Sequence, residues 1–122
     1  MVADFPNLFF LLGPNTGLAH NSQVFMIESQ IHYVAEAIGA ADRLRAQALA
    51  PTREAQSRFN AELQRDLAKS VWNIGGCHSW YMDEHGVNRA LWSGFTWEYW
   101  LATRRFKTSE YKFTGVGQRV AA

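Results

Sequence analysis

The sequence predicts an α+β fold that is mainly helical, with two long helices, one shorter helix, a small antiparallel β element and one N-terminal strand. Three observations support this class. Apolar residues recur at three- and four-residue steps from Val24 to Ile38, as they do along one face of a helix. Apolar residues also recur at every fourth position from Phe59 to Val71. Short apolar runs next to glycine indicate strands before and between the helical segments.

The first elements predicted are a strand and a long helix. Residues 7–12 form a short apolar run that stops at a Gly-Pro pair, which is typical of a fully buried strand. The helix begins after Asn21 or Ser22, since both residue types are good N-caps, and it continues to about Leu44. The apolar residues that share one face of this helix are Val24, Ile27, Ile31, Val34 and Ile38.

A short link and a second helix follow. Pro51 prevents one helix from continuing through this region, so residues 46–52 are predicted to be an extended link or an edge strand. The second helix starts at Arg53 or Glu54 and ends at about Val71. Its apolar stripe consists of Phe59, Leu63, Leu67 and Val71.

The last third of the chain is predicted to hold the antiparallel element and the shorter helix. Residues 78–82 and 88–92 read as two strands around a turn, in which Gly86 takes a positive φ. Residues 95–106 read as the third helix. The tail from Thr108 is expected to be poorly ordered, except that Tyr111 and Phe113 pack back onto the body.

Length and composition exclude several classes of protein. The chain of 122 residues and 13.9 kDa fits a single domain spanning residues 1–122. Its one cysteine excludes an intrachain disulfide and fits a reducing compartment, so we expect a cytoplasmic location. No apolar run approaches the roughly 20 residues of a membrane helix. The net charge of +1 offers no basic groove, so we expect no nucleic-acid partner.

Two further groups of residues invite a chemical interpretation. Cys77 and His78 are adjacent, but without a second cysteine at zinc spacing a buried structural cysteine is favoured and no metal site is predicted. Five tryptophans could stack on a ring ligand or on nucleic-acid bases. Packing in the core and between domains is the preferred interpretation of these tryptophans.

The segment between the predicted strand and the first helix carries the strongest chemical signal. Gly13, Pro14 and Gly17 form a tight turn before the helix start. A helix N-terminus offers free N–H donors and a partial positive charge, which suit an anion or a ring carbonyl that gains negative charge. The alternative interpretation is a plain connection between a strand and a helix.

Two long motifs in this sequence resemble one known family. The segment "NLFFLLGPNTGLAHNS", followed by "F..E.Q" on the helix, resembles the closing strand–loop–helix of class B flavin monooxygenases. This group includes the Baeyer–Villiger and flavin-containing monooxygenases. The segment "GGCHSWYMDEHGVNRALW" resembles the tail of the same group, where Gly-Cys-x-Ser-Trp-Tyr precedes Gly-x-Asn-x-x-Leu-Trp. The resemblance extends from residue 5 to about residue 111.

The resemblance implies a role for the opening loop. In this family the loop and the helix start lie against the flavin of FAD, and the strand at residues 7–12 belongs to the central sheet of the FAD domain. The implied parent reaction uses FAD and NADPH to insert one oxygen atom from O2 into a ketone or at a soft heteroatom. By resemblance, the residues that line the flavin are Gly13, Pro14, Asn15, Thr16, Gly17 and Leu18, and those close to the flavin or the substrate cavity are His20 and Asn21.

The sequence lacks the two glycine fingerprints that bind dinucleotides in this family. It therefore resembles a C-terminal segment, for which we predict no catalytic residue and no FAD binding in isolation. The expected partner is either a second copy of the chain or the missing FAD- and NADPH-binding domains. The alternative function is a non-catalytic binding or assembly module that uses the flavin-facing surface.

Overall fold

The computed structural model describes residues 1–18, 20–74 and 80–117. The elements in chain order are helix α1 (Gln23–Leu44), strand β1 (Ala48–Pro51), helices α2 (Arg53–Leu67), α3 (Val71–Ile74) and α4 (Thr96–Thr103), a 3-10 turn (Thr108–Glu110) and strand β2 (Tyr111–Thr114). The predicted α+β, mainly helical class is confirmed. Within the described ranges, no helix combines the length and apolar character that crossing a bilayer requires.

The two strands form one antiparallel sheet in which Leu49 lies opposite Phe113. The edge strand expected within residues 46–52 is therefore confirmed. For residues 108–114 the expectation of a poorly ordered tail is wrong, because β1 supplies the backbone partners that order residues 111–114; residues 118–122 lie outside the described residues. The Gln47 amide donates to the Thr114 carbonyl at 2.9 Å, which extends the ladder by one bond. Tyr111 and Phe113 pack onto the core as predicted.

Local signals set the ends of the helices. Arg45 takes a left-handed φ of 50° after α1, a conformation that ends a helix. The Thr52 hydroxyl accepts a hydrogen bond from the Ala55 amide at 3.1 Å, so Thr52 caps α2. The prediction that this second helix reaches Val71 is wrong, because a turn closed by the Ser70 amide on the Leu67 carbonyl follows α2. Helix α4 is likewise shorter than the predicted 95–106.

Helix α1 buries a different face from the one with its largest apolar residues. It packs against α4. The buried residues of α1 are Met26, Ser29, Gln30, Ala37, Ala40 and Ala41. We call the predicted face (Val24, Ile27, Ile31, Val34 and Ile38) the α1 stripe. Val24, Ile31 and Ile38 on this stripe are 61%, 51% and 47% exposed, so the described residues leave these three side chains largely uncovered.

Two small clusters form the core. One joins Ala37 and Ala41 of α1 to Leu49 of β1. The other joins Leu63 and Leu67 of α2 to Leu91. The tryptophans contribute little to the cores, and the expectation of core packing is wrong for four of them. These four exposed tryptophans are Trp72, Trp80, Trp97 and Trp100.

The strand predicted at residues 7–12 is not formed within this structure. Asn7 and Leu12 take left-handed φ values of 59° and 54°, which are incompatible with continuous extended backbone. Asn7 instead covers the edge of β1, since its amide donates to the Leu49 carbonyl at 2.9 Å and its side-chain oxygen accepts from the Leu49 amide at 3.1 Å. No neighbouring strand in the described residues is available to pair with residues 8–11.

The predicted hairpin is present only around its turn. Gly86 takes the expected positive φ of 72°, and a single antiparallel bridge joins Met82 to Asn88. Residues 78–79, together with Cys77, lie outside the described residues. Between the described residues 80–82 and residues 88–92 the predicted pairing is limited to that bridge, and residues 89–92 pair with the opening loop.

Candidate functional site

The opening loop is fixed to residues 88–92 by backbone hydrogen bonds. The Asn15 amide donates to the Arg89 carbonyl at 2.9 Å, and the Gly17 amide donates to the Ala90 carbonyl at 2.8 Å. The Trp92 amide then donates to the Gly17 carbonyl at 2.9 Å. The pattern is a short parallel bridge between Gly17 and Leu91, so the two motifs quoted from the sequence meet in space.

The turn that carries residues 88–92 to the loop is itself held together by Asp83. Its carboxylate accepts hydrogen bonds from the amides of Val87 and His85 and from Arg89 Nε. The Val87 amide, followed by Arg89, holds the pKa of Asp83 below its ordinary value. The turn therefore presents residues 88–92 to the loop in one fixed arrangement.

Two asparagines lie at the centre of this contact. Asn15 Nδ2 donates to the carbonyls of Asn88 at 2.8 Å and Leu91 at 3.0 Å. Asn88 is fully buried, and its Oδ1 accepts from the amides of Ala90 at 3.1 Å and Leu91 at 3.0 Å. The Asn15 side chain thus serves to hold the loop. Gln64 of α2, which sequence reasoning missed, donates to the same Asn88 carbonyl at 2.8 Å.

An open cleft of about 460 Å³ lies on the exposed side of the loop. The residues that line it are Leu12, Gly13, Pro14, Thr16, Gly17, Gln23 and Ala90. The cleft thus brings together four of the eight site residues that the resemblance implies. A Cβ added at Gly17 would lie 2.7 Å from the Ala90 carbonyl oxygen, so glycine is required here by the close approach of two backbones.

Only part of the loop's backbone is free to bind a ligand. The amides of Asn15 and Gly17 are used within the fold, whereas those of Gly13, Thr16 and Leu18 make no hydrogen bond within the described ranges. Ser22 caps α1 without a side-chain hydrogen bond, so the first amides of the helix stay free as well. The Thr16 hydroxyl donates to the Gly13 carbonyl at 2.6 Å, which tightens the turn.

Gln23 adds an unsatisfied acceptor to the same cleft. Its Oε1 is buried without a hydrogen-bond partner, while its Nε2 donates to the Leu18 carbonyl at 3.4 Å. A buried polar atom in this state is normally satisfied by a ligand or by water. The cleft therefore combines free backbone donors with a glutamine whose acceptor is unsatisfied within the described residues.

His20 and Asn21 directly precede the N-cap of α1 and are not among the residues that line the cleft. Asn21 Nδ2 donates to the Thr96 hydroxyl at 2.9 Å, and Asn21 Oδ1 accepts from the Ser22 amide at 2.7 Å. Asn21 therefore joins the beginnings of α1 and α4. The His20 ring is exposed and packs edge-on against Phe95, with 6.0 Å between the ring centroids. That His20 and Asn21 approach the flavin or the substrate cavity stays a prediction.

Comparison with known proteins assigns the chain to a family. A Baeyer-Villiger monooxygenase of Pseudomonas aeruginosa is 52% identical over 92% of this chain. A Baeyer-Villiger monooxygenase of Streptomyces coelicolor is 41% identical over 90% of the chain, and an FAD-binding monooxygenase of Aspergillus niger is 30% identical over 99% of it. No family model and no solved structure matches the chain.

These similarities cover nearly all of the chain but little of the relatives. The chain spans 21% of the length of each of the three relatives. This coverage is consistent with the predicted correspondence to their C-terminal segment. The chain corresponds to about one fifth of the length of these relatives. On identity and coverage together, it belongs to the Baeyer–Villiger and related flavin-dependent monooxygenases.

Proposed function

We propose that this chain supplies the flavin-facing loop of an FAD- and NADPH-dependent monooxygenase. The reaction proposed for the whole enzyme inserts one oxygen atom from O2 into a ketone or at a soft heteroatom. The observation that carries the proposal is the cleft in which Gly13, Thr16 and Gly17 come together beside the unpartnered Gln23 Oε1. When bound, FAD supplies the redox chemistry.

The role of this chain in that site is binding and orientation. The free amides of Gly13, Thr16 and Leu18 are donors for a ring edge that carries negative charge. The partial positive charge at the start of α1 acts in the same direction. Gly17 lets the loop backbone approach Ala90 closely, which keeps the loop in the position where its free amides adjoin the cleft.

We propose that the 122-residue chain alone retains no FAD. The cleft is open and offers contacts to one edge of a ring, and the sequence has no fingerprint for the adenine and pyrophosphate parts. The purified chain should therefore lack visible flavin absorption. A yellow protein with one FAD per chain would contradict this proposal and would show that the loop is sufficient for binding.

The experiment that tests the loop's role replaces Gly17 with alanine in a longer relative that has glycine at this position. The added Cβ meets the Ala90 carbonyl and displaces the loop, and a displacement of about 1 Å at a reacting centre can cost about a hundredfold in rate. We expect FAD retention or NADPH-dependent oxygen uptake to fall by at least about tenfold.

The matched control is Gly39→Ala on α1, where the added Cβ would meet only the flexible end of Arg43, at 3.4 Å. The control should keep its flavin content and its rate. If Gly17→Ala behaves like Gly39→Ala, the loop is a connector and the proposed function is wrong.

A second candidate function is a non-catalytic assembly module. The specific observation that favours it is the number of exposed apolar side chains, both on the α1 stripe and at Phe10, Leu11 and Leu12. Surfaces of this kind mark contact sites for other proteins. Flavin content of a longer relative tests the first function, whereas the oligomeric state of the 122-residue chain tests the second.

A further inference from the structure

Gln30 is a buried amide that joins three elements. It lies on α1 and is 6% exposed. Its Oε1 accepts from the Leu12 amide at 2.8 Å, and its Nε2 donates to the Tyr99 hydroxyl on α4 at 3.0 Å. Both ends of the side chain are therefore used, and one of them holds the backbone that leads into the opening loop.

The amide that Gln30 holds lies at the joint of the loop. Leu12 has a left-handed φ of 54° and directly precedes Gly13, a conformation that a leucine adopts only where its surroundings impose it. Leu12 also lines the cleft. A fixed Leu12 amide therefore fixes the direction in which Gly13 and Pro14 leave the joint.

The same side chain connects the two ends of the loop. The Tyr99 ring packs edge-on against Trp92, with 5.1 Å between the centroids. The Trp92 amide in turn holds the Gly17 carbonyl at 2.9 Å. Gln30, Tyr99 and Trp92 thus form one chain of contacts from the residue before the loop to the residue near its end.

We propose that Gln30 is a positioning residue for the flavin-facing loop, acting through the Leu12 amide and through Tyr99; the proposal rests on the proposed function of that loop. Gln30 lies behind the loop, outside the residues that line the cleft, so it is not itself a ligand residue. A merely structural glutamine would stabilise the core without controlling the loop, and the two roles predict different results.

The first test uses amide hydrogen exchange in the 122-residue chain, followed residue by residue by NMR. Gln30→Met keeps the length of the side chain but removes the acceptor, so the Leu12 amide loses its partner. We expect exchange at Leu12 to accelerate at least about fivefold, the equivalent of one hydrogen bond, and the signals of Gly13 and Thr16 to shift.

The matched control is Ser29→Ala. Ser29 is the neighbouring buried polar residue, but its hydroxyl bonds only the Phe25 carbonyl of its own helix. This variant should leave exchange at Leu12 unchanged. Unchanged exchange at Leu12 in Gln30→Met would overturn the inference, since the loop would then be fixed by other contacts.

Two more variants keep the test decisive if Gln30→Met fails to fold. Gln30→Glu retains an oxygen that accepts from the Leu12 amide, and Tyr99→Phe removes only the far partner of the chain of contacts. We expect the Leu12 amide to exchange faster in Tyr99→Phe than in Gln30→Glu. In Gln30→Glu its exchange rate should be close to that of the unchanged chain. The reverse order would sink the idea.

The second test places the same substitution in a longer relative that has glutamine at this position and carries FAD. Gln30→Met should shift the visible spectrum and the reduction potential of the bound flavin, while Ser29→Ala should not. If Gly17→Ala alters the flavin spectrum and Gln30→Met does not, this inference alone is wrong. If neither alters it, the proposed function is wrong as well.

Discussion

Asn15 shows how a single side chain holds together two segments that are far apart in sequence. Its Nδ2 bonds two carbonyls that lie 73 and 76 positions further along the chain. Its φ of 57° is left-handed, a conformation that asparagine tolerates better than most residues. Asparagine therefore meets two requirements of the opening loop: it adopts the left-handed backbone conformation, and its side chain bonds the distant segment.

We predict that Asn15→Ala lowers the free energy of unfolding by about 2 kcal/mol. The change removes the side-chain donor of the Leu91 carbonyl and one of the two side-chain donors of the Asn88 carbonyl, and it forces alanine into the left-handed region. Urea denaturation measures the effect. Asn60→Ala is the control, because Asn60 is an exposed residue of α2 whose replacement should change stability by no more than about 0.5 kcal/mol. Equal effects of the two substitutions would contradict the assigned role of Asn15.

The residues of the site differ in how visible they are in the sequence. The glycines at 13 and 17 and Asn88 belong to the two quoted motifs, so the resemblance pointed to their segments. Gln30 is the glutamine of the first motif, yet its role was not predicted, and Gln23 and Gln64 were missed altogether, because an amide on a helix has no periodic or local signature. Their roles arise only when distant segments meet, as when Gln30 reaches the Leu12 amide.

The apolar stripe predicted for α2 is only partly buried. Residues at every fourth position advance by about 40° around a helix of 3.6 residues per turn. From Phe59 to Val71 the stripe therefore rotates by about 120°, too far for all four residues to face one core. Leu63 and Leu67 are buried, whereas Phe59 and Val71 are not, and the helix ends at Leu67.

We predict a large difference between two truncations on this stripe. Leu67→Ala opens a cavity at a fully buried position and should lower the free energy of unfolding by about 3 kcal/mol. Val71→Ala, at a residue that is 73% exposed, should cost no more than about 0.5 kcal/mol. Thermal or urea denaturation gives both values. A costly Val71→Ala would mean that the predicted stripe continues into the core after all.

Helix periodicity located α1 and α2 but did not identify the buried side of α1. Apolar residues cover more than half of the circumference of α1, so two faces compete. The face that is buried here contains alanines, which let neighbouring elements approach closely, whereas the large β-branched residues lie on the stripe. The pairing of β1 with β2 was also missed, since it joins residues at least sixty positions apart and neither strand specifies its partner locally.

The contact between α1 and β2 makes the stability of the fold sensitive to alkaline pH. Burial is the main cause that raises the pKa of both Tyr33 and Tyr111 above the ordinary value of 10.0, and their hydroxyls lie 3.0 Å apart. Because the unfolded chain releases these protons at lower pH than the folded chain does, stability is fully present below about pH 10 and falls as the pH rises further.

We therefore predict that unfolding free energies measured between about pH 8 and about pH 11 stay level at first and then decline. A chain carrying both Tyr33→Phe and Tyr111→Phe should show a shallower decline, although it is less stable at neutral pH. Tyr99, which is also buried and has a raised pKa, remains in this variant and accounts for the residual slope. An unchanged slope would show that the pair does not govern the alkaline limit.

At the scale of the whole molecule, two surfaces expose apolar side chains or unpaired backbone that no described part of the chain covers. The first is the α1 stripe. The second is the segment of residues 8–12, in which the amides of Phe9, Phe10 and Leu11 make no hydrogen bond to any described residue. Leu8, Phe10 and Leu11 are exposed there. Four exposed tryptophans add to the apolar surface, and packing of these tryptophans between domains stays a prediction.

We predict that the 122-residue chain self-associates through these surfaces. The α1 stripe follows the three–four spacing that lets one helix pack along another, and unpaired backbone at residues 8–11 can pair with a second copy. Contiguous apolar patches beyond a few hundred Å² are rare on soluble monomers, so a two-fold dimer is the simplest closed arrangement.

Sedimentation at micromolar concentrations should show this dimer. Ile31→Glu, at the centre of the stripe, should yield a folded monomer, whereas Ala61→Glu on the exposed side of α2 should remain dimeric. A monomeric unchanged chain would refute self-association and would leave the missing part of a longer monooxygenase as the partner to test.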